Sequence, residues 1–307
     1  MHKILFLPLR ISVFILFYLL ITNSSYAGQA EGVSVVDDTG AVVTLVHPAR
    51  RIVSLAPHVT ELLFAAGAGQ QLVGVVDYSD FPEAAKTLPR VGSYNAFDLE
   101  SILALKPDLI VAWKSANPAA SLEKLQAMQI PVFFSEPRKL EDVASNLERL
   151  GVLAGTEPVA KVAAADFRQK LAGLRTQYSN LSRVSVFYQI WHQPLMTING
   201  EHIISQVIEL CGGRNVFADL PALAPKISLE PVLLKDPEVI VAGNSALNHP
   251  DWKEDWRRWP SLRAVKNDHL FYVNPDIIQR HTPRILQGAD VLCRQLEQVR
   301  VARDASH

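Results

Sequence analysis

Cysteine is scarce, with two in 307 residues. That excludes a Cys-rich zinc scaffold and a disulfide-dense miniprotein, and leaves material for one bridge between Cys211 and Cys293. An excess of charge of one sign is also lacking: 30 basic against 31 acidic side chains provide no basic field of the kind that neutralises a phosphate backbone, so nucleic acid is not an expected partner. The catalytic motifs GxSxG, P-loop, HExxH and CxxC are absent, which argues against an enzyme. Gly67-Ala68-Gly69 lacks the third glycine of a dinucleotide loop and falls where a helix ends rather than where one opens. Past the first residues, no stretch is apolar enough to span a bilayer.

What is present begins with an export signature. Lys3 and Arg10 flank a basic start, Ile11 to Ile21 is an almost unbroken apolar run, and Ser25-Tyr26-Ala27 puts small residues at the −3 and −1 positions of a cleavage site. Residues 1–27 therefore read as a signal peptide. The run falls short of the roughly 20 residues that a membrane anchor needs. No cysteine follows the cleavage position to carry a lipid. Exported thiols tend to pair, which favours a Cys211–Cys293 disulfide over the alternative of two buried free cysteines.

Periodicity then divides the chain. A hairpin is expected around Asp37-Asp38-Thr39-Gly40, between short apolar runs from Val33 to Val46. Strands are expected at Arg51 to Leu55, Leu72 to Val76, Leu109 to Ala112 and Val132 to Phe134, with helices at Thr60 to Ala66, Leu99 to Leu105, Leu122 to Met128 and Leu140 to Leu150. Ala160, Ala163, Phe167, Leu171, Leu174 and Tyr178 mark one face of a helix of about 20 residues that starts near Thr156-Glu157-Pro158. A second series follows, with strands at Val184 to Gln189, Val239 to Ala242 and Leu270 to Val273, and helices at Ile204 to Leu210, Pro231 to Leu234 and Pro283 to Val299. The fold class is thus α/β: an N-terminal lobe over 28–155, a linking helix over 156–180 and a C-terminal lobe over 181–307, with a ligand cleft between the lobes.

An internal repeat supports this plan. Leu99 to Ala112 aligns without gaps on Leu229 to Ala242, matching Leu99, Glu100, Leu103, Pro107, Val111 and Ala112 with identical residues.

In parallel α/β sheets the carboxyl ends of the strands face the ligand crevice, and four aromatic residues fall at or near such places: Tyr78, Tyr94, Trp113 and Trp191. They suit a bulky, partly apolar ligand, against the plainer reading that each plugs its own lobe. Asp276 and Arg280 occupy the loop after the last strand and could hydrogen-bond such a ligand, or simply pair with each other. His58, His192, His202 and His281 lie in or near loops, but no two have helical ligand spacing, and no metal site is expected. Trp252, Trp256 and Trp259 share one helical face, expected to pack on the second lobe.

The segments RIVSLAPHVTELLFAAG (51–67), VGVVDYSDFP (73–82), LESILALKPDLIVAW (99–113) and QVIELCGG (206–213), with the PD, QR and TPRI elements within 275–285, carry a resemblance. Over Arg51 to Val299 the chain resembles the cobalamin-binding family of long-helix periplasmic proteins, which serve ABC importers of metal chelates. The resemblance implies a soluble, monomeric periplasmic receptor that does no chemistry and hands cobalamin or a related corrinoid to the permease dimer of an importer. It implies ligand contacts from Tyr78, Trp113, Asp276 and Arg280, a Cys211–Cys293 disulfide, and docking of Glu100 and Glu230 on permease arginines. Three positions depart from the family pattern: Tyr94 stands where tryptophan is common, no tryptophan occupies the loop near Ala224, and His58, itself a candidate ligand contact, replaces a smaller polar residue. Haem and ferric-siderophore binders share most of these elements and form the alternative reading. An exported hydrolase or metalloenzyme is the competing class, and a sensor without a transporter a third.

Overall fold

The computed structural model describes residues 1–2, 32–243 and 249–305, and the expected signal peptide falls almost wholly outside them. Among the described residues no helix is long and apolar enough to cross a membrane.

Two four-stranded parallel sheets organise the molecule. In the first, β3 (Ile52–Ser54), β4 (Leu72–Val75), β7 (Leu109–Trp113) and β8 (Val132–Ser135) lie in the order β4-β3-β7-β8. In the second, β9 (Val184–Gln189), β10 (Gly213–Asn215), β11 (Val239–Ala242) and β12 (Leu270–Tyr272) lie in the order β10-β9-β11-β12. Both sheets therefore have the same winding, second-first-third-fourth. The internal repeat falls on its third strand, β7 in one lobe and β11 in the other. Among the described residues two antiparallel hairpins complete the strands: β1 (Val33–Val36) with β2 (Val42–Leu45), and β5 (Gly92–Ser93) with β6 (Ala96–Phe97). Asp37 holds the turn of the first by accepting from the Thr39 and Ala41 amides.

The helices of the first lobe are α1 (Pro57–Ala65), α2 (Leu99–Ala104), α3 (Ala119–Ala127) and α4 (Leu140–Ala154). Pro57 does more than end the strand before it. Its fixed φ suits the first helical position, so α1 opens there, three residues earlier than periodicity alone suggests. Gly155 ends α4 at φ +69, where a Cβ would lie 2.9 Å from Pro48, and the chain turns at once into α5 (Glu157–Tyr178).

At 22 residues α5 is about 33 Å long. It buries Ala160, Ala164, Phe167, Leu171 and Tyr178, while Ala163 and Leu174 stay half-buried. Burying Phe167 contributes roughly 2 to 3 kcal/mol, more than helix propensity gives several residues, so packing rather than intrinsic helicity fixes α5.

One apolar core runs unbroken through both halves, from Leu62, Val111 and Leu147, past Phe167 on α5, to Tyr188 and Leu292. Each sheet has a separate core on its other face, around Ile110 and Ile102 in one lobe and Phe187 and Trp256 in the other. The two lobes are thus bonded through a shared central layer.

In the second lobe α6 (Ile203–Leu210), α7 (Glu230–Lys235) and a terminal helix, Ile285–Ala305, flank the sheet. Cys211, just past α6, is bonded to Cys293 in the terminal helix, closing a separation of 82 residues. In the chain-entropy model that closure stabilises the fold by roughly 4 to 5 kcal/mol. The tryptophan helix spans only Trp252–Arg257. Trp252 and Trp256 are buried, but the helix stops before Trp259, which is 38% exposed; the expected third core tryptophan therefore lies on the surface.

Candidate functional site

Between β3 and β7 the winding of the first sheet reverses, and in parallel α/β sheets such a switch point, at the strand carboxyl ends, is where ligands bind. His58 stands in the first turn of the helix that follows β3, and Trp113 is the last residue of β7. Asn117 ties the place together: its amide donates to the carbonyls of Leu55 and Tyr94, and its oxygen accepts from the backbone N–H of Trp113 at 2.6 Å. One buried side chain thus fixes the end of β3, the Tyr94 loop and the end of β7.

On that frame the rings assemble. Tyr94 lies 5.9 Å from Trp113, and Trp113 meets His58 edge-on at 5.0 Å. His281 comes from the second lobe to within 5.5 Å of His58 and 6.1 Å of Trp113, and His202 reaches His281 at 5.9 Å. Three residues named from sequence for a ligand role, His58, Tyr94 and Trp113, are therefore brought together with two histidines of the other lobe. Burial, aided by the positive charge of Arg280, lowers the pKa of His58 to about 3. Burial, and then Arg138, lowers that of His202 to about 4. Burial holds His281 well below the ordinary histidine range. All three imidazoles are neutral at pH 7. His58 Nε2, His281 Nδ1 and Trp113 Nε1 are buried polar atoms without a hydrogen-bond partner.

Beside the rings, charged residues join the lobes. Arg280, 14% exposed in its side chain, donates to Asp80 of the first lobe at 2.6 Å and to Asp276 at 2.9 Å. Partial burial pushes the Asp80 carboxyl up, but the hydrogen bond and charge of Arg280 outweigh it and hold the group below its usual value. Arg284 grips Glu61 through two hydrogen bonds, receives Phe81 against its guanidinium face at 3.8 Å, and shares Glu61 with the Thr282 hydroxyl. Asp276 and Arg280, expected near a ligand, thus belong to a cross-lobe ionic network.

Tyr78 and Trp191 stand apart from the ring cluster. Tyr78 is 73% exposed at φ +62, a backbone conformation uncommon for a residue with a Cβ, in the loop after β4. Trp191 is 38% exposed and donates its indole N–H to the Gln193 carbonyl. Both lie just beyond strand carboxyl ends.

Sequence reasoning missed Glu61, Asp80, Asn117 and Arg284. Glu61 carried a signal, as the one charge inside the apolar run Val59 to Ala66. Asn117 carried none, because a single asparagine in a polar loop has no pattern.

Glu100 and Glu230 are exposed in the first turns of α2 and α7. Asp98 caps α2, accepting from the Glu100 and Ser101 amides. Ser228 does not cap α7. That helix begins after Leu229, and the Ser228 hydroxyl instead hydrogen-bonds the Glu230 carboxylate, lowering its pKa.

Over most of its length the chain is similar to known proteins. A family model described as periplasmic binding protein matches residues 52–277. The vitamin B12-binding protein of Vibrio campbellii is 40% identical over 256 residues, covering 83% of this chain and 92% of its own. That of Vibrio cholerae O395 is 41% identical over 251 residues, covering 81% and 90%. The crystal structure of the periplasmic vitamin B12 binding protein BtuF of Vibrio cholerae superposes with a TM-score of 0.77 at 40% identity, over 82% of this chain and 98% of that one. The periplasmic haem-binding protein RhuT from Roseiflexus shares the fold, with a TM-score of 0.73 at 22% identity.

Proposed function

The chain belongs to the periplasmic binding protein family, beside its vitamin B12-binding members, and we propose on that premise that it captures cobalamin or a related corrinoid in the periplasm and delivers it to an ABC importer. The observation that carries this reading is the Tyr94–Trp113–His58–His281 cluster, built from both lobes at the switch point of the first sheet. A large macrocycle offers flat apolar faces for the rings and amide side chains at its edge. The amides can meet the buried polar atoms of Trp113 and the histidines, with Arg280 and Asp276 at the margin and Tyr78 and Trp191 closing the rim.

No bond is made or broken in such a role. Capture needs only that the lobes part enough to admit the ligand and close on it. The shared core and the continuous α5 oppose large hinge motion, so specificity rests on a preshaped cleft and binding loses little to ordering. Delivery would use Glu100 and Glu230, placed by the repeat at matching positions on the two lobes. A symmetric permease dimer could engage both at once, so that two weak contacts act together. The working form is a monomer, with cobalamin as cargo rather than cofactor.

Haem is the second reading, favoured by His58 and His281, whose buried neutral imidazoles are of the type that haem iron accepts. Absorption spectra of the protein after incubation with cyanocobalamin, haemin and a ferric siderophore separate the readings, since each ligand carries its own visible bands. Retention of corrinoid bands through gel filtration supports the proposal; retention of haem alone replaces it with the second reading.

A further inference from the structure

The second sheet has its own switch point, between β9 and β11, and it gathers a different set of side chains. His192 follows the end of β9 by three residues, His249 lies on the segment after β11, and Asp255 stands on the helix Trp252–Arg257. We propose that His192, His249 and Asp255 form a binding site for a divalent transition-metal ion of the zinc type.

The geometry is close to what such an ion requires. One donor atom from each residue lies within 4.8 Å of the others. His249 Nε2 is 2.6 Å from Asp255 Oδ2, and His192 Nε2 is 3.7 Å from that same oxygen, beyond hydrogen-bond reach. The two imidazoles stack at 4.1 Å with 18° between their planes, so their nitrogens approach one carboxylate oxygen from neighbouring directions. Tetrahedral zinc, with bonds near 2.0 to 2.1 Å, sets its ligand atoms roughly 3.3 Å apart. Small rotations of two half-buried rings are enough to reach that spacing.

The donor set decides the class of ion. Two imidazole nitrogens with one carboxylate suit zinc, cobalt, nickel or copper and are a poor match to calcium or magnesium, which prefer oxygen ligands. Arg258 lies 3.3 Å from Asp255 Oδ1, the other carboxylate oxygen. It can orient the carboxylate while Oδ2 stays turned to the histidines. Three protein ligands leave a fourth position. His192 and Asp255 also line a cavity of about 450 Å³ with Gln189, Gln193, Trp256 and Trp259, so this position would face a space able to admit water or a small anionic ligand.

The spacing of the ligands hid the site from sequence. His192 and His249 are far apart along the chain, and only the adjacency of β9 and β11 unites them. Ligand spacing along one helix, on which the expectation of no metal site rests, is not how these three residues meet.

The test uses the untagged chain, stripped with a chelator and titrated with Zn²⁺ by calorimetry and with Co²⁺ by visible absorption. The expected result is saturable one-to-one binding, with the visible bands of a four- or five-coordinate Co²⁺ ion and a rise in melting temperature with Zn²⁺. His192→Ala, His249→Ala and Asp255→Asn should each weaken binding at least tenfold, and His58→Ala should leave it unchanged. Asp255→Asn preserves shape, which keeps the test decisive should an alanine variant fold poorly. Failure to saturate below millimolar metal overturns the proposal. So does an affinity unchanged in the three variants, or lost in His58→Ala, which would move the site to the cleft histidines.

Discussion

Glu61 on α1 and Arg284, at the threshold of the terminal helix, form a two-point ion pair across the lobes, with Arg284 Nε 2.7 Å and Nη2 2.6 Å from the two carboxylate oxygens. Glu61 is 2% exposed. A charge so deeply buried is tolerable only because its partner is fixed in place, and the pair therefore holds the second lobe's 280–284 segment against the first.

Removing one partner strands the other. Glu61→Ala should lower unfolding stability by about 3 to 5 kcal/mol, measured by urea denaturation. Replacing both, as Glu61→Leu with Arg284→Met, should cost clearly less than the single change, because no buried charge is left unpaired. Equal losses in the two variants would show that packing rather than charge dominates there.

Acid should weaken the fold well above the carboxylate range. His58, His202 and His281 have folded pKa values below the unfolded value near 6.5, so the unfolded chain takes up protons first as pH falls. Their contribution is complete above about pH 6.5 and is lost progressively as pH drops toward about 4 for His202 and about 3 for His58. The limiting slope is roughly 1.4 kcal/mol per pH unit for each histidine. Melting temperature should fall steadily between pH 6.5 and 4.5, and His58→Gln should flatten that fall. An unchanged slope in the variant would mean that His58 is not buried in its neutral form.

Docking makes a different demand. Glu100→Arg combined with Glu230→Arg should abolish uptake in a transport assay while leaving ligand affinity and melting temperature nearly intact, since both side chains are exposed. Full uptake by the double variant would remove docking from their roles. Lost ligand binding would place them in the cleft instead.

Much of this architecture was legible from periodicity. The strand Val184–Gln189 and the long helix that opens at Glu157 stand where an unbroken apolar run and helical spacing put them, because the strand is buried along its whole length and the helix turns one face to the core. The single core shared by both lobes was not legible, since a sequence shows which faces are apolar but not which faces meet. At the site, aromatic residues at strand ends were visible one at a time. Their meeting with His281 and His202, and the capture of Arg280 by Asp80, depend on segments 200 residues apart in one case. Trp259 misled for a local reason: helical spacing persisted for one more step than the helix itself.

Capture of a corrinoid by the interlobe ring cluster is tested most directly by titrating cyanocobalamin into the wild-type chain and into Trp113→Ala and following binding by calorimetry. The account predicts saturable one-to-one binding to the wild type, weakened more than about fivefold, or roughly 1 kcal/mol, by loss of an indole that contacts His58 and Tyr94. Absence of saturable cobalamin binding by the folded wild-type chain, or an affinity untouched by Trp113→Ala, would contradict it.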